Sequence, residues 1–249
     1  INRRVAGDWT GGPGGTLVAP AISDGALAFP TATILLSEGS RSGGAGARAD
    51  ETGGAGGFTV GHRGRLFGTL PDGQAIEVYT LKDAALEVRI ATYGARVVAL
   101  YSKDREGKMA DVVLGYPSVN GYVAEGTNKT YFGSIVGRYG NRIRDGKFSL
   151  DGHAYQIPPN NTGNALHGGP HGFDEKVWTG KALPDGVEMT LVSPDGDMGF
   201  PGKLTVHVRY TLHGDALHIN YAATTDKDTV TNLTNPSYFN LSGEGSERK

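Results

Sequence analysis

The chain has 249 residues, with 24 basic and 26 acidic side chains and a formal net charge of −2. A chain of this length can bury a sizeable core, and all-β sandwiches often reach it as one domain. The near balance of charge supplies no field for holding a phosphate backbone, so we expect no nucleic-acid partner. The sequence contains no cysteine, which excludes disulfides, thiolate metal sites and cysteine nucleophiles.

Residues 1–66 are rich in glycine and alanine. They contain 16 of the 40 glycines, in runs such as GGAGG at 53–57, and they show no sustained apolar period. This composition predicts a disordered leader or linker. The apolar stretch at 26–36 contains Pro30 and is too short to span a bilayer, so we expect no membrane partner. The sequence does not identify the compartment, although a cytoplasmic location is slightly favoured over a secreted or periplasmic one.

From residue 67 to 249, short alternating segments separated by Gly, Asp and Asn turns predict β-strands. The clearest predicted strands are Ala75–Leu81, Leu86–Ala91, Arg96–Ser102, Val187–Val192, Lys203–Leu212 and Ala216–Ala222. A short helix is predicted only near residues 118–125. Because there are no alternating βαβ units, the pattern is typical of an antiparallel β-sandwich.

Four polar segments follow one another along this region. They are GRYGNRI at 137–143, NNTGNALHGGPHGFDEKVW at 160–178, SPDGDMGFPG at 193–202 and TNLTNPSYFNLSG at 231–243. In this order they resemble the motifs of the aldose 1-epimerase (galactose mutarotase) family. The resemblance implies an all-β fold, the large twisted antiparallel β-sandwich (supersandwich) of the mutarotases, with 67–249 as its N-terminal part.

The resemblance also implies a reaction. Enzymes of this family exchange the α and β anomers of an aldose by taking a proton from the anomeric hydroxyl and delivering one to the ring oxygen. The ring then opens, rotates about C1–C2 and recloses. One acid and one base are sufficient in principle, so the implied partner is a small aldose sugar, with no metal and no cofactor. The sequence does not identify the oligomeric state.

Three residues are candidates for a sugar site. The imidazole of His167 has an unperturbed pKa of about 6.5, so donor and acceptor forms are both accessible at neutral pH. The glycines that follow it, Gly168 and Gly169, let a ligand approach the backbone closely. Arg142 offers a fork of donors suited to vicinal hydroxyls. The resemblance to the family's LHGG and NRI motifs implies that His167 is catalytic and that Asn141, Arg142 and His167 bind the sugar.

Other polar residues in these segments are expected to be structural. Arg138 is predicted to support the fold, and His171 to be a solvated loop residue. Asp195 and Asp197 resemble a calcium loop only superficially, because the closing glutamate is missing, so a turn-rich loop is favoured. Aromatic rings can stack on a pyranose, although most are expected in the core. The candidate rings are those of Tyr139, Phe173, Trp178, Tyr238 and Phe239.

The sequence departs from the family pattern at Pro236. The family carries a histidine at this position, which is the expected acid toward the ring oxygen, whereas proline has no side-chain donor or acceptor and no backbone N–H. Family members also place a sugar-binding aspartate and a glutamate base further downstream. This chain ends at Lys249, and Glu244 and Glu247 lie too close to the motif to replace them. We therefore expect a sandwich that is incomplete at the C-terminus, with little activity by itself.

Two functions from different classes remain open. The favoured one is an aldose 1-epimerase acting on free hexoses such as galactose or glucose. The alternative is a non-catalytic carbohydrate-binding β-sandwich, in which Asn141, Arg142 and His167 hold a sugar without turnover. A glycosidase or lyase is disfavoured, because glycoside hydrolysis uses two carboxylates about 5–10 Å apart and the motifs here are centred on His and Arg.

Overall fold

The computed structural model describes residues 64–245, together with the backbone of four short segments at 21–22, 25–28, 32–35 and 59–60. In chain order the strands are β1 (Ala21–Ile22), β2 (Gly25–Ala28), β3 (Ala32–Leu35), β4 (Thr59–Val60), β5 (Arg65–Thr69), β6 (Ala75–Lys82), β7 (Leu86–Ala91), β8 (Arg96–Lys103), β9 (Met109–Asp111), β10 (Arg142–Ile143), β11 (Lys147–Leu150), β12 (His153–Gln156), β13 (Ala165–Leu166), β14 (Thr179–Leu183), β15 (Gly186–Ser193), β16 (Leu204–His213), β17 (Ala216–Thr225) and β18 (Thr229–Val230). One short α-helix in the described residues, α1, spans Val119–Ala124.

Two antiparallel sheets of six strands each dominate the described part of the chain. The first has the order β4-β6-β7-β8-β9, with β5 also paired to β6. The second has the order β14-β15-β16-β17-β2, with β3 also paired to β17. The longest ladder is the β16–β17 hairpin, which closes through a two-residue turn between His213 and Ala216. Gly214, in this turn, has a φ of 61°, as a tight hairpin requires.

The inner faces of the two sheets form one hydrophobic core. Side chains alternate along each strand, so one face of β16 buries Leu204, Val206, Val208 and Tyr210 together. They belong to the same apolar cluster as Leu81, Val88, Ile90 and Leu100 of the first sheet. Burying each such aliphatic side chain contributes about 1.5–3 kcal/mol relative to leaving it exposed. The β-sandwich predicted from the alternating pattern is therefore confirmed.

The predicted elements agree with the observed ones to within three residues at each end. The hairpin turns fall at Asp72-Gly73, at Asp185 and at Gly214-Asp215, where the sequence signals place them. The helix predicted near 118–125 is α1. No helix among the described residues is long and apolar enough to cross a membrane. From residue 65 onward, the predicted strands do not include β5, β9 to β14 or β18, which have two to five residues each and are too short to show a clear period.

The N-terminal part is less uniform than the predicted leader. Within residues 1–66 the structure describes four short strands, and β2 and β3 pair with β17 while β4 pairs with β6. The next strand, β5, runs across the predicted boundary at residue 66. The other residues of this segment lie outside the described residues. The division into 1–66 and 67–249 therefore stays a prediction.

Short ladders outside the two large sheets bring the polar motifs together. Strand β10 pairs with β13 in the register Arg142↔Leu166 and Ile143↔Ala165. The segment that contains Asn232 and Thr234 runs beside residues 136–140, through isolated bridges to Tyr139 and Val136. Three of the four motifs therefore meet at one place.

Candidate functional site

An open cleft of about 490 Å³ lies where the three motifs meet. A cavity of this volume is large enough for a small ligand such as a monosaccharide. Its eight lining residues are Gly140, Asn141, Arg142, Leu166, His167, Asn232, Leu233 and Thr234. The fold thus brings together the three residues predicted to bind a sugar, although they are 26 positions apart in sequence at their furthest.

Two hydrogen bonds join Asn141 and His167. The backbone amide of His167 donates to the backbone carbonyl oxygen of Asn141 at 3.0 Å. The backbone amide of Asn141 donates to His167 Nδ1 at 3.0 Å. Both residues have left-handed backbone conformations, with φ values of 68° for Asn141 and 55° for His167. Asparagine and histidine adopt this region more readily than most residues. The imidazole is therefore fixed relative to the Arg142 strand.

The surroundings of His167 determine both its tautomer and its charge. Because Nδ1 accepts a hydrogen bond from a backbone N–H, the neutral ring carries its proton on Nε2. Burial, followed by the positive charge of Arg142, lowers the pKa of His167 to about 4. Both effects penalise the charged ring. At neutral pH His167 is therefore an uncharged imidazole whose free polar group is an Nε2–H donor.

Arg142 is exposed at the rim of the cleft. Its Nε donates to the side-chain oxygen of Asn161 at 3.1 Å, which restrains the guanidinium plane. Since this bond engages Nε, the two terminal nitrogens can act as a donor fork toward a ligand. Asn161 belongs to the same loop as Asn160, whose side-chain amide bonds both the N–H and the C=O of Leu166. Apart from their place in a polar motif, these two asparagines carry no sequence signal.

Gly168 has a different role from the one predicted. A Cβ at this position would lie 2.0 Å from the carbonyl oxygen of Gly137, and the φ of Gly168 is 90°. At Gly169 a Cβ would lie 3.2 Å from Ile157 Cγ2. The close approach at these glycines is therefore made by the protein itself. The small size of Gly168 lets the motif that contains His167 pack against the motif that contains Asn141, and Gly169 makes room for Ile157.

The third wall of the cleft comes from the segment around Asn232. The backbone amide of Asn232 donates to the Arg138 carbonyl oxygen at 3.0 Å, and the Asn232 carbonyl oxygen accepts from the Gly140 amide at 2.7 Å. The side-chain amide of Asn232 donates to the Gly140 carbonyl oxygen at 3.3 Å. Pro236 lies beyond Thr234 and outside the lining set; its carbonyl accepts a bond from the Gly133 amide at 3.1 Å. In the part of the chain that the structure describes, the cleft lining includes no carboxylate.

Arg138 supports the fold and His171 lies in a surface loop, as predicted. Arg138 is 2% exposed, and its guanidinium donates to the carbonyl oxygens of Pro201 and Gly202 and to Ser193 Oγ. Its burial lowers its pKa to about 10. His171 is a surface residue whose Nδ1 lies 2.9 Å from Glu175 Oε2.

The two aspartates of the third motif hold its loop together. Asp195 accepts from the Gly202 amide at 2.6 Å and also contacts Lys227. Asp197 accepts from Ser193 Oγ at 2.7 Å and from Lys176 at 3.2 Å. Their oxygens thus serve turns and ion pairs, as the sequence predicts for a structural loop.

None of the five candidate aromatic rings lines the cleft. Tyr139, Phe173 and Trp178 are buried, while Tyr238 and Phe239 are exposed. The ring that contacts the site is Tyr131, which packs against His167. Sequence reasoning missed it because Tyr131 lies in an irregular segment where no period shows which side chain points inward.

Comparison with known proteins agrees with the family resemblance of the four motifs. A family model described as aldose 1-epimerase matches residues 77–249. Galactose mutarotase from Rattus norvegicus is 48% identical over 182 residues, which are 73% of this chain and 52% of that protein. The chain therefore spans about half the length of the curated relatives it matches.

Solved structures agree with this comparison. Galactose 1-epimerase from Lactobacillus acidophilus NCFM superposes with a TM-score of 0.62 at 28% identity, covering 74% of this chain and 54% of that chain. An aldose epimerase homologue from C. elegans gives a TM-score of 0.59 at 32% identity, covering 65% of this chain and 49% of that chain. In both cases the similarity extends over most of the described sandwich.

Proposed function

This chain belongs to the aldose 1-epimerase family, and we propose that its cleft serves the interconversion of the α and β anomers of a free hexose such as galactose or glucose. The observation that carries the proposal is the placement of His167, fixed by Asn141 and lying beside Arg142 in one open cleft. Relatives over this region are named as mutarotases and epimerases. Those names favour turnover over the alternative of sugar binding without turnover.

Within this proposal, each of these residues takes a definite part in the reaction. Ring opening places negative charge on the ring oxygen, and a neutral Nε2–H of His167 can donate a hydrogen bond to an oxygen on which charge develops. The terminal nitrogens of Arg142 can hold two vicinal hydroxyls at once. Asn141 fixes the imidazole so that its donor keeps one direction. His167 therefore polarises the sugar as a hydrogen-bond donor.

The same geometry implies that His167 cannot complete the reaction alone. The anomeric hydroxyl must give its proton to a base, and Nδ1 of His167 already accepts the Asn141 amide. A neutral imidazole N–H is also a poor proton donor in comparison with an imidazolium. The acid and the base of the proposed reaction are thus groups other than the eight residues that line this cleft. We propose that this chain supplies the sugar-binding half of an epimerase site.

Sugar binding is the direct test. In ¹H–¹⁵N NMR titrations of the 249-residue protein, D-galactose is expected to shift the amide signals of Asn141, Arg142 and His167 in a saturable way. The same titration with an uncharged non-sugar solute such as trimethylamine N-oxide serves as the control and leaves those signals in place. If no aldose among galactose, glucose and xylose shifts them, the proposed function is wrong for this cleft.

A further inference from the structure

Tyr131 makes the ring contact that covers His167. The two rings have centroids 4.7 Å apart and planes inclined by 73°, an edge-to-face arrangement. Tyr131 does not line the cleft, so its effect on a ligand is transmitted through His167. We propose that Tyr131 is a positioning residue that fixes the orientation of the His167 imidazole, and that Lys129 and Arg96 clamp Tyr131 in place. The consequence for sugar binding rests on the proposed function.

The backbone of Tyr131 is held in an unfavourable conformation. Its φ is 57°, in the left-handed region that a bulky side chain rarely adopts. Such a conformation persists only where the surroundings determine it, and it is typical of functional sites. The contacts of its neighbours in sequence, Lys129, Thr130 and Phe132, provide these surroundings.

Lys129 fastens one side of Tyr131. Its ammonium lies 3.1 Å from Asp174 Oδ2 and 2.7 Å from Glu175 Oε1, and it donates to the Pro170 carbonyl oxygen at 2.8 Å. The side chain is only 10% exposed. All three ammonium donors are therefore engaged, and they tie residue 129 to the segment that follows His167.

Arg96 fastens the other side. It donates through Nη1 to the Phe132 carbonyl oxygen at 2.7 Å and through Nη2 to the Asp174 carbonyl oxygen at 3.2 Å. Its guanidinium lies 4.3 Å from the centre of the Tyr122 ring, and the residue is 3% exposed. Lys129 is thus bonded directly to the 3₁₀ turn at residues 173–175, and Phe132 is linked to the same turn through Arg96.

Thr130 adds a third attachment, at the end of α1. Its amide donates to Glu125 Oε2 at 3.0 Å, and its hydroxyl donates to the other oxygen of the same carboxylate. A second cavity lies behind Tyr131 and is lined by several of these charged residues. Because Lys129, Glu125 and Glu175 are bonded to protein groups around this cavity, we interpret the cluster as a support for Tyr131.

The expected consequence of this arrangement is a half-buried imidazole held in one orientation. The Tyr131 ring packs against one side of His167, and burial is the main cause of the low pKa of His167. The pKa of Tyr131 is itself raised to about 12, chiefly by burial and then by the charges of Asp174 and Glu175, so the ring stays neutral at physiological pH. Loss of the ring is expected to admit water and to let the imidazole change its orientation.

Two substitutions separate the ring from the backbone. Tyr131→Phe keeps the ring and removes only the hydroxyl, whereas Tyr131→Asn removes the ring with a residue that tolerates a left-handed conformation. In ¹⁵N and ¹³C NMR titrations of the whole chain, the Phe variant is expected to keep the pKa of His167 and its Nε2–H tautomer. The Asn variant is expected to raise that pKa by about one unit or more, because desolvation is relieved, and to weaken galactose binding about tenfold.

A pair of lysine variants tests the clamp and covers the case in which Tyr131→Asn fails to fold. Lys129→Gln breaks the contacts to Asp174 and Glu175 and is expected to shift the His167 signals in the same direction as Tyr131→Asn. Lys176→Gln removes a comparable ion pair, to Asp197, and is expected to leave His167 unchanged.

Each outcome of these titrations is decisive. If His167 keeps its pKa and its tautomer in the folded Tyr131→Asn and Lys129→Gln variants, the positioning role is wrong. The role is also wrong if Tyr131→Phe changes the pKa of His167 as much as Tyr131→Asn does. The titration of His167 needs no sugar. A wild-type chain that binds no aldose therefore overturns the proposed function and leaves this inference standing.

Discussion

His167 and Asn141 hold each other through two hydrogen bonds of 3.0 Å, one between backbone groups and one from the Asn141 amide to the imidazole Nδ1. The pair joins two motifs that are far apart in sequence. It also orients the ring, determines its neutral tautomer and assigns Nδ1 to the protein. Nε2–H is thereby left as the group that can meet a ligand.

Protonation of His167 is expected to destabilise the fold in a defined pH window. Its pKa is about 4 in the folded protein, against about 6.5 in an unfolded chain. The unfolded state therefore binds more protons between these values, and the free energy of unfolding falls as pH drops from about 6.5 to about 4. His167→Asn keeps an acceptor for the Asn141 amide and tolerates the left-handed backbone. Urea denaturation at several pH values should show a shallower fall in this variant; equal slopes would contradict the low pKa.

Arg142→Lys is expected to weaken sugar binding about tenfold and to leave the fold intact. Lysine keeps the charge but lacks the planar fork that contacts two hydroxyls, and Arg142 is exposed. Arg144→Lys is a matched control, because the Arg144 side chain is 94% exposed and lies two positions away. Dissociation constants for galactose from NMR titration provide the measurement. Equal dissociation constants for the two variants would show that the Arg142 guanidinium does not contact the sugar.

Gly168→Ala is expected to destabilise the protein by about 2–4 kcal/mol, because it adds a clash to a left-handed backbone. The new Cβ would meet the Gly137 carbonyl oxygen at 2.0 Å. Gly163→Ala is the control, since Gly163 has a similar φ of 84° with open space around its Cβ position. It is expected to cost only the backbone term of about 1–2 kcal/mol. Chemical denaturation of both variants measures the difference; equal losses would show that Gly168 is not crowded.

Turnover is expected to need groups beyond those in the described cleft. Three proteins can be compared by polarimetry on freshly dissolved α-D-galactose: this chain, its Pro236→His variant, and the variant fused to the half of a curated relative that this chain does not match. We expect the first two to follow the buffer rate, because an added acid without a base leaves the anomeric proton in place. The fused protein is expected to accelerate mutarotation.

An additional variant of the fused protein tests the role of His167 in turnover. In the fused protein, His167→Asn is expected to lower the rate about 10²–10³-fold, the range typical of removing one hydrogen-bond donor to an oxygen on which charge develops. Strong mutarotation by the unmodified chain would show that the acid or the base has been misassigned.

Much of the architecture could be predicted from local sequence. The alternation in Leu204–Tyr210 decides which face of β16 is buried, and the Gly214-Asp215 turn decides where its hairpin closes. Both are local because strand period and turn chemistry depend on adjacent residues. Asn141, Arg142 and His167 were also identified from sequence, since their residue types match family motifs. Their roles in binding and catalysis stay predictions.

Other features were decided only by the tertiary structure. Gly168 was predicted to admit a ligand, but it makes room for the Gly137 backbone, a contact between two distant motifs. Tyr131 and its clamp by Lys129 and Arg96 had no sequence signal, because Arg96 begins β8 whereas Lys129 and Tyr131 lie in an irregular segment much further along the chain. The sequence by itself determined the long strands, their turns and the residue types at positions 141, 142 and 167. The charge state and orientation of His167 depend on burial and on long-range hydrogen bonds, which exist only once the chain has folded.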